Sequence, residues 1–133
     1  MSVTPVPEMD LQLVPVPVSD VDRAIAFYQR AGFGDLRDIQ VTPEMRVVQL
    51  TPPGSGCAIV FGTGMGPITD MEPGSVKGLH LVVNDMNASR DALIARGVDV
   101  GPIDDMGGVL YAGFADPDGN LWMLQWWPPN MGG

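Results

Sequence analysis

The chain of 133 residues offers few groups for chemistry, and it holds one histidine and one cysteine. His80 lies in the apolar run Gly-Leu-His-Leu-Val-Val. An imidazole exchanges protons near neutral pH, so it can act as a general base or as a hydrogen-bonding partner of a ligand. The same residue reads equally as a half-buried histidine bonded to a neighbouring strand. Cys57 has no basic neighbour in the sequence to activate its thiol, which argues against a nucleophile. Asp104 and Asp105 form a carboxylate pair suited to acid and base work, yet they fall beside Gly107 and Gly108 in what reads as a solvated loop. Gly62-Thr-Gly-Met-Gly66 lacks the Lys and Ser/Thr of a phosphate loop and opens no helix. Asp116-Pro-Asp-Gly119 lacks the spaced oxygens and terminal Glu of a calcium loop and reads as a hairpin turn.

Near the C-terminus the types and spacing favour binding over catalysis. On a strand, alternation puts Met123, Gln125 and Trp127 on one side and Trp122, Leu124 and Trp126 on the other. A thioether, an amide and an indole together suit a flat, partly polar ligand. The tryptophans serve just as well to seal a dimer or a sheet end. Gln49 and Tyr111, on strand candidates of their own, add polar contacts whose facing the sequence leaves open.

The elements that must position these residues come from a near-repeat. Val18 to Phe33 aligns with Val83 to Val98 without a gap. Each stretch opens on an apolar residue and capping candidates, Ser19 with Asp22 in one and Asn84 with Asp85 in the other. Val21, Ala24, Ile25 and Tyr28 form a helical stripe, and Gly32 and Gly97 suit the left-handed residue that ends a helix. Strand candidates precede the helices at Leu11 to Val18 and Gly78 to Val83. After each helix come a short segment and two strands: Arg46 to Leu50 and Cys57 to Gly62, then Val109 to Ala115 and Asn120 to Trp127. The spacing predicts an α+β fold of two βαβββ modules, about residues 10–66 and 75–127, within one domain spanning 1–133. Paired about a pseudo-two-fold axis, they make a curved mixed sheet with helices outside and a ligand cup inside. The Pro/Gly-rich link from Gly62 to Gly74 cannot supply the helix that a ferredoxin-like fold needs there.

Composition bounds the partners. Sixteen acidic and seven basic side chains give a net charge of −9. Nucleic acid, which needs a basic footprint, is excluded; a cationic or neutral small molecule is accepted more easily. No run nears the ~18 apolar residues of a membrane helix. One unpaired cysteine and no apolar leader give the expectation of a cytoplasmic protein.

Three segments carry a family likeness: Val-Ser-Asp-Val-Asp-Arg-Ala-Ile-Ala-Phe-Tyr from Val18, Gly-Leu-His-Leu-Val-Val-Asn-Asp from Gly78 and Phe-Ala-Asp-Pro-Asp-Gly-Asn-Leu-Trp from Phe114. Together they resemble the vicinal oxygen chelate superfamily of glyoxalase I, bleomycin-resistance proteins, fosfomycin-resistance enzymes and extradiol dioxygenases. The resemblance spans about residues 10–127 and implies the paired-module fold, not a reaction. In the metal-using members each of four strands gives one ligand, and the matching positions here are Leu13, Val60, Gly78 and Met123. None suits a divalent ion that seeks carboxylate or imidazole. Residues 11–18, 47–69 and 119–133 contain no Asp, Glu or His, so a one-residue error of register changes nothing. No metal and no cofactor are expected. The leading expectation is a metal-independent protein that sequesters an antibiotic or aromatic natural product in a cup with Gln49, His80, Tyr111, Met123, Gln125 and Trp127. The resemblance also implies a homodimer. A metal-free isomerase, lyase or cyclase using His80 is the alternative, and a metal-dependent glyoxalase-like lyase ranks below both.

Overall fold

Two ten-residue helices of matching design organise the chain. Helix α1, Val21–Arg30, starts at Asp20, whose carboxylate accepts from Arg23 N at 3.0 Å. Ser19, expected to share that role, instead binds the carboxylate of Asp118, and Asp22 instead pairs with Arg46 at 2.8 Å. A second helix, Met86–Ala95, is capped in the same way by Asp85, which accepts from Ala88 N. Both end as the sequence predicts, with Gly32 at φ +93° and Gly97 at φ +89°.

The computed structural model describes residues 3–131. Met1 and Ser2 of the N-terminal arm, and Gly132 and Gly133 of the tail, lie outside the described residues. In the first module β1 (Leu13–Pro15) pairs in parallel with β4 (Ala58–Thr63), which is antiparallel to β3 (Arg46–Thr51), itself antiparallel to β2 (Gly34–Gln40). In the second, β5 (Lys77–Val82), β8 (Leu121–Trp126), β7 (Val109–Ala115) and β6 (Asp104–Met106) repeat that pattern. The strand orders β1-β4-β3-β2 and β5-β8-β7-β6 are equivalent, so the curved sheet of the paired modules is built as two four-stranded mixed sheets. Between them the Gly62–Gly74 link winds into one turn of helix, α2 (Pro67–Asp70), started by Pro67 at its first position; Met86–Ala95 is therefore α3. Asp104 and Asp105 belong to β6, paired with Tyr111 and Leu110, where the sequence reads as loop. Flanking glycines conceal a three-residue strand that only its partner defines.

One hydrophobic cluster joins the two halves: Val21, Ala24, Phe27 and Tyr28 of α1 meet Val48, Leu50, Ile59 and Phe61 of the first sheet and Phe114, Trp122 and Leu124 of the second. The Tyr28 ring lies 5.2 Å from Phe33, 5.9 Å from Phe61 and 5.8 Å from Trp122, centroid to centroid. Aromatic pairs at such distances add ~0.5–1.5 kcal/mol each beyond area burial. Side chains of even number on β3 and β8 face this core. Those of odd number face away from it, so each sheet keeps one face open.

The polar part of the junction comes from the Asp-Pro-Asp-Gly turn. Asp116 is 5% exposed and Asn120 fully buried, and both are satisfied. Asp116 Oδ2 accepts from Tyr28 Oη at 2.7 Å and from Asn120 Nδ2 at 2.8 Å, while its Oδ1 accepts from the backbone of Asp118 and Asn120. Asn120 Nδ2 also donates to the Pro17 carbonyl at 2.7 Å. The turn of the second module is thus clasped to the start of the first.

Candidate functional site

On the open face of the second sheet, His80 of β5 lies opposite Met123 of β8, and Tyr111 of β7 lies opposite Gln125. A bulge accounts for the position of His80. Lys77 pairs with Leu121 but Leu79 with Trp122, so Gly78, at φ +85°, is an extra residue. Without it, His80 would stand level with Leu124 and point into the core. Gly78, which alternation alone places on the face of His80, is instead the residue that turns His80 onto it.

The four side chains make a small contact group. The His80 and Tyr111 rings meet edge to face with centroids 6.1 Å apart. Gln125 Nε2 donates to Tyr111 Oη at 2.9 Å. Nδ1 of His80 lies 2.6 Å from the Gly78 carbonyl. A carbonyl oxygen only accepts, so Nδ1 carries the proton, and in the neutral ring the lone pair is on Nε2. His80 is exposed. The group therefore offers a ring edge, a phenol, an amide, a thioether and an imidazole nitrogen able to accept.

Gln49 and Trp127 lie elsewhere. Gln49 is on the open face of the first sheet, in a polar hollow of about 380 Å³ with Leu13, Arg37 and Thr51. Trp127 follows the end of β8 and lines a separate hollow of about 310 Å³ with Val82, Asn84, Trp126 and Pro128. The structure brings together four of the six expected residues and assigns the other two to different surfaces. Arg37 is not legible as a site residue in the sequence, because only the pairing of β2 reveals which way it faces. A third hollow, about 320 Å³ and largely apolar, lies on the helix side among Phe33, Pro52, Leu81, Leu93 and Phe114 and contains none of the candidates.

The donor set does not fit the divalent ion that metal-using relatives would hold. Leu13 and Val60 are hydrocarbon, Gly78 has no side chain and Met123 gives only a thioether. Among the described residues no group of three or more His, Cys, Asp and Glu lies close enough to hold a metal. No helix among them is long and apolar enough to cross a membrane.

Paired βαβββ modules with an open face on each sheet define a class of ligand-cupping protein, and comparison with known proteins agrees with it. The model of the Glyoxalase/Bleomycin resistance protein/Dioxygenase superfamily matches residues 11–124, and the chain belongs to that superfamily. Among solved structures it is similar to TnmS3, an antibiotic binding protein from Streptomyces sp. CB03234, at 33% identity over 92% of this chain and 99% of that one, with a TM-score of 0.77. A glyoxalase/bleomycin resistance protein from the same organism is 35% identical, covering 86% of this chain and 98% of that one, with a TM-score of 0.69. A superfamily member from Sphaerobacter thermophilus DSM 20745 is 30% identical, covering 91% and 99%, with a TM-score of 0.77. No curated protein matches the chain.

Proposed function

We propose that the protein binds a small organic molecule and sequesters it as a resistance protein does, without a metal or other cofactor. The observation that carries this reading is the His80–Tyr111–Met123–Gln125 group. It combines aromatic rings and a shape-adapting thioether with polar atoms that fix orientation, while the family's metal positions lack donors. The likeness to TnmS3, described as antibiotic binding, supports an antibiotic or aromatic natural product as the ligand. Each sheet offers only half of an enclosing cup, which favours a homodimer in which two open faces meet around the ligand. A cytoplasmic location accords with the single unpaired cysteine.

One observation favours chemistry as a second reading. Nδ1 of His80 is tied to the Gly78 carbonyl, which leaves the lone pair of the exposed ring on Nε2, where it can serve as a base. A metal-free isomerase, lyase or cyclase would use it to move a proton on its substrate. Native mass spectrometry of the untagged protein with a panel of aromatic antibiotics and metabolites tests both readings. Sequestration predicts a dimer carrying an intact compound. A compound returned with altered mass or retention would replace that reading with the enzymatic one, and a stoichiometric metal ion would overturn the metal-free reading.

A further inference from the structure

The first sheet contains a second bulge, and it too reverses a side chain. In β2, Gly34 pairs with Thr51, whereas Arg37 pairs with Gln49 and Asp38 with Val48. Continued from Gly34 without a shift, the register would put Arg37 level with Val48 and send it towards the core face. The extra residue sends it to the open face beside Gln49 and Thr51 instead. Asp35 stands in the bulge with φ +52°, and it is the only non-glycine residue with positive φ among those described. Holding such a conformation costs on the order of 1–3 kcal/mol, and strain of this kind concentrates at functional sites.

Arg37 is also uncommitted. Arg23 pairs with Asp118, Arg46 with Asp22 and Asp38, Arg90 and Arg96 donate to backbone carbonyls, and Lys77 donates to Gly119 O; Arg30 shares the lack of a partner but lies in the last turn of α1, outside the hollow. Among the described residues no carboxylate lies within ion-pair distance of Arg37. It lines the polar hollow with Gln49, Thr51 and Asp35. A guanidinium fork beside an amide and a hydroxyl matches a planar carboxylate, which accepts two parallel hydrogen bonds.

From this geometry we infer that the Arg37–Gln49–Thr51 hollow is a subsite for a carboxylate on the ligand. The inference rests on the small-molecule-binding reading and on the homodimer proposed with it, in which the open face of this first sheet meets the second-sheet face of the other copy; it sharpens the ligand to one that is aromatic at one end and acidic at the other. The net charge of −9 opposes an anion at long range, and so does the Asp35 carboxylate in the same hollow. Recognition must therefore come from hydrogen bonds at contact distance, which selects a planar, bidentate acceptor over a diffuse anion.

Two probes of equal shape test this: naphthalene-2-carboxylate and naphthalene-2-carboxamide, titrated calorimetrically into the wild-type protein and into Arg37→Gln, Arg37→Lys and Asp35→Asn. The wild type is expected to hold the carboxylate on the order of tenfold more tightly than the amide. Arg37→Gln should bring the two within about twofold, Arg37→Lys should recover only part of the difference, and Asp35→Asn should widen it. Arg37 is exposed, so unchanged circular dichroism is expected for its variants. Equal affinity on the wild type, a preference that survives Arg37→Gln, or retention of neither probe overturns the inference. Each of those results leaves the sequestration reading to be decided by the panel of intact natural compounds.

Discussion

Tyr28 of α1 and Asp116 of the second module's turn meet in a 2.7 Å hydrogen bond although 88 residues separate them in the chain. The same hydroxyl accepts from Trp122 Nε1 at 3.0 Å. All three groups are buried, so losing the hydroxyl leaves the indole N–H without a partner away from water and takes from Asp116 one of its hydrogen bonds, those from Asn120 and Asp118 remaining.

Tyr28→Phe keeps the ring and removes only the oxygen. It should cost about 2–4 kcal/mol, from a charged hydrogen bond plus an unsatisfied indole. Urea unfolding checks this through a lower midpoint at unchanged slope. A loss below ~0.5 kcal/mol would mean that the aromatic packing, not the hydroxyl, holds the modules together.

The hydroxyl also predicts a response to alkali. Burial, then the Asp116 carboxylate, pushes the ionisation of Tyr28 well above the usual tyrosine range. The folded state thus keeps a proton that the unfolded chain releases. The stabilisation is complete below pH ~10 and falls by up to ~1.4 kcal/mol per pH unit above it. Unfolding midpoints of the wild type and Tyr28→Phe should therefore converge between pH 10 and 11.5. Parallel curves across that range would contradict the assignment.

Gly74, at φ +79°, packs where a Cβ would overlap the Asp118 carbonyl. Gly74→Ala combines backbone strain with a clash against the turn that clasps the modules, and should cost about 2–4 kcal/mol. Gly54, at φ +72° with open space around it, shares only the strain, so Gly54→Ala should cost about 1 kcal/mol. Thermal melts of the pair would separate overlap from strain.

His80 distinguishes the two functional readings. His80→Gln should change ligand affinity only a few-fold if the ring is a contact, and should lower a turnover rate by ~10²–10⁴ if it is a base. Gly78→Ala is the companion variant. It leaves the imidazole intact but penalises the bulge that aims it, and should weaken ligand binding without removing any polar atom from the cup.

Local patterns read well from sequence because their causes are local. The stripe of α1, the terminating Gly32 and Gly97 and the alternation of β8 all follow from nearest neighbours. Pairing decides the rest. The offered oxygens of Ser19 and Asp22 are taken by Asp118 and Arg46, which leaves Asp20 to cap α1. Asp104 and Asp105 become a strand only beside β7. His80 stands out by its chemistry and Arg37 does not, since the face of Arg37 depends on one extra residue in β2 that leaves no periodic trace.

The clasp has a further consequence for how the chain is made. Asn120 holds the Pro17 carbonyl across 103 positions, and Trp122 reaches Tyr28 across 94. Synthesis runs from the N-terminus, so α1 emerges long before the turn that will cover its aromatic face. Until then Phe27 and Tyr28 have only their own sheet as shelter. A nascent first half is therefore a sticky intermediate, and ribosome stalling between residues 67 and 115 would yield a fragment prone to aggregation rather than a free-standing half.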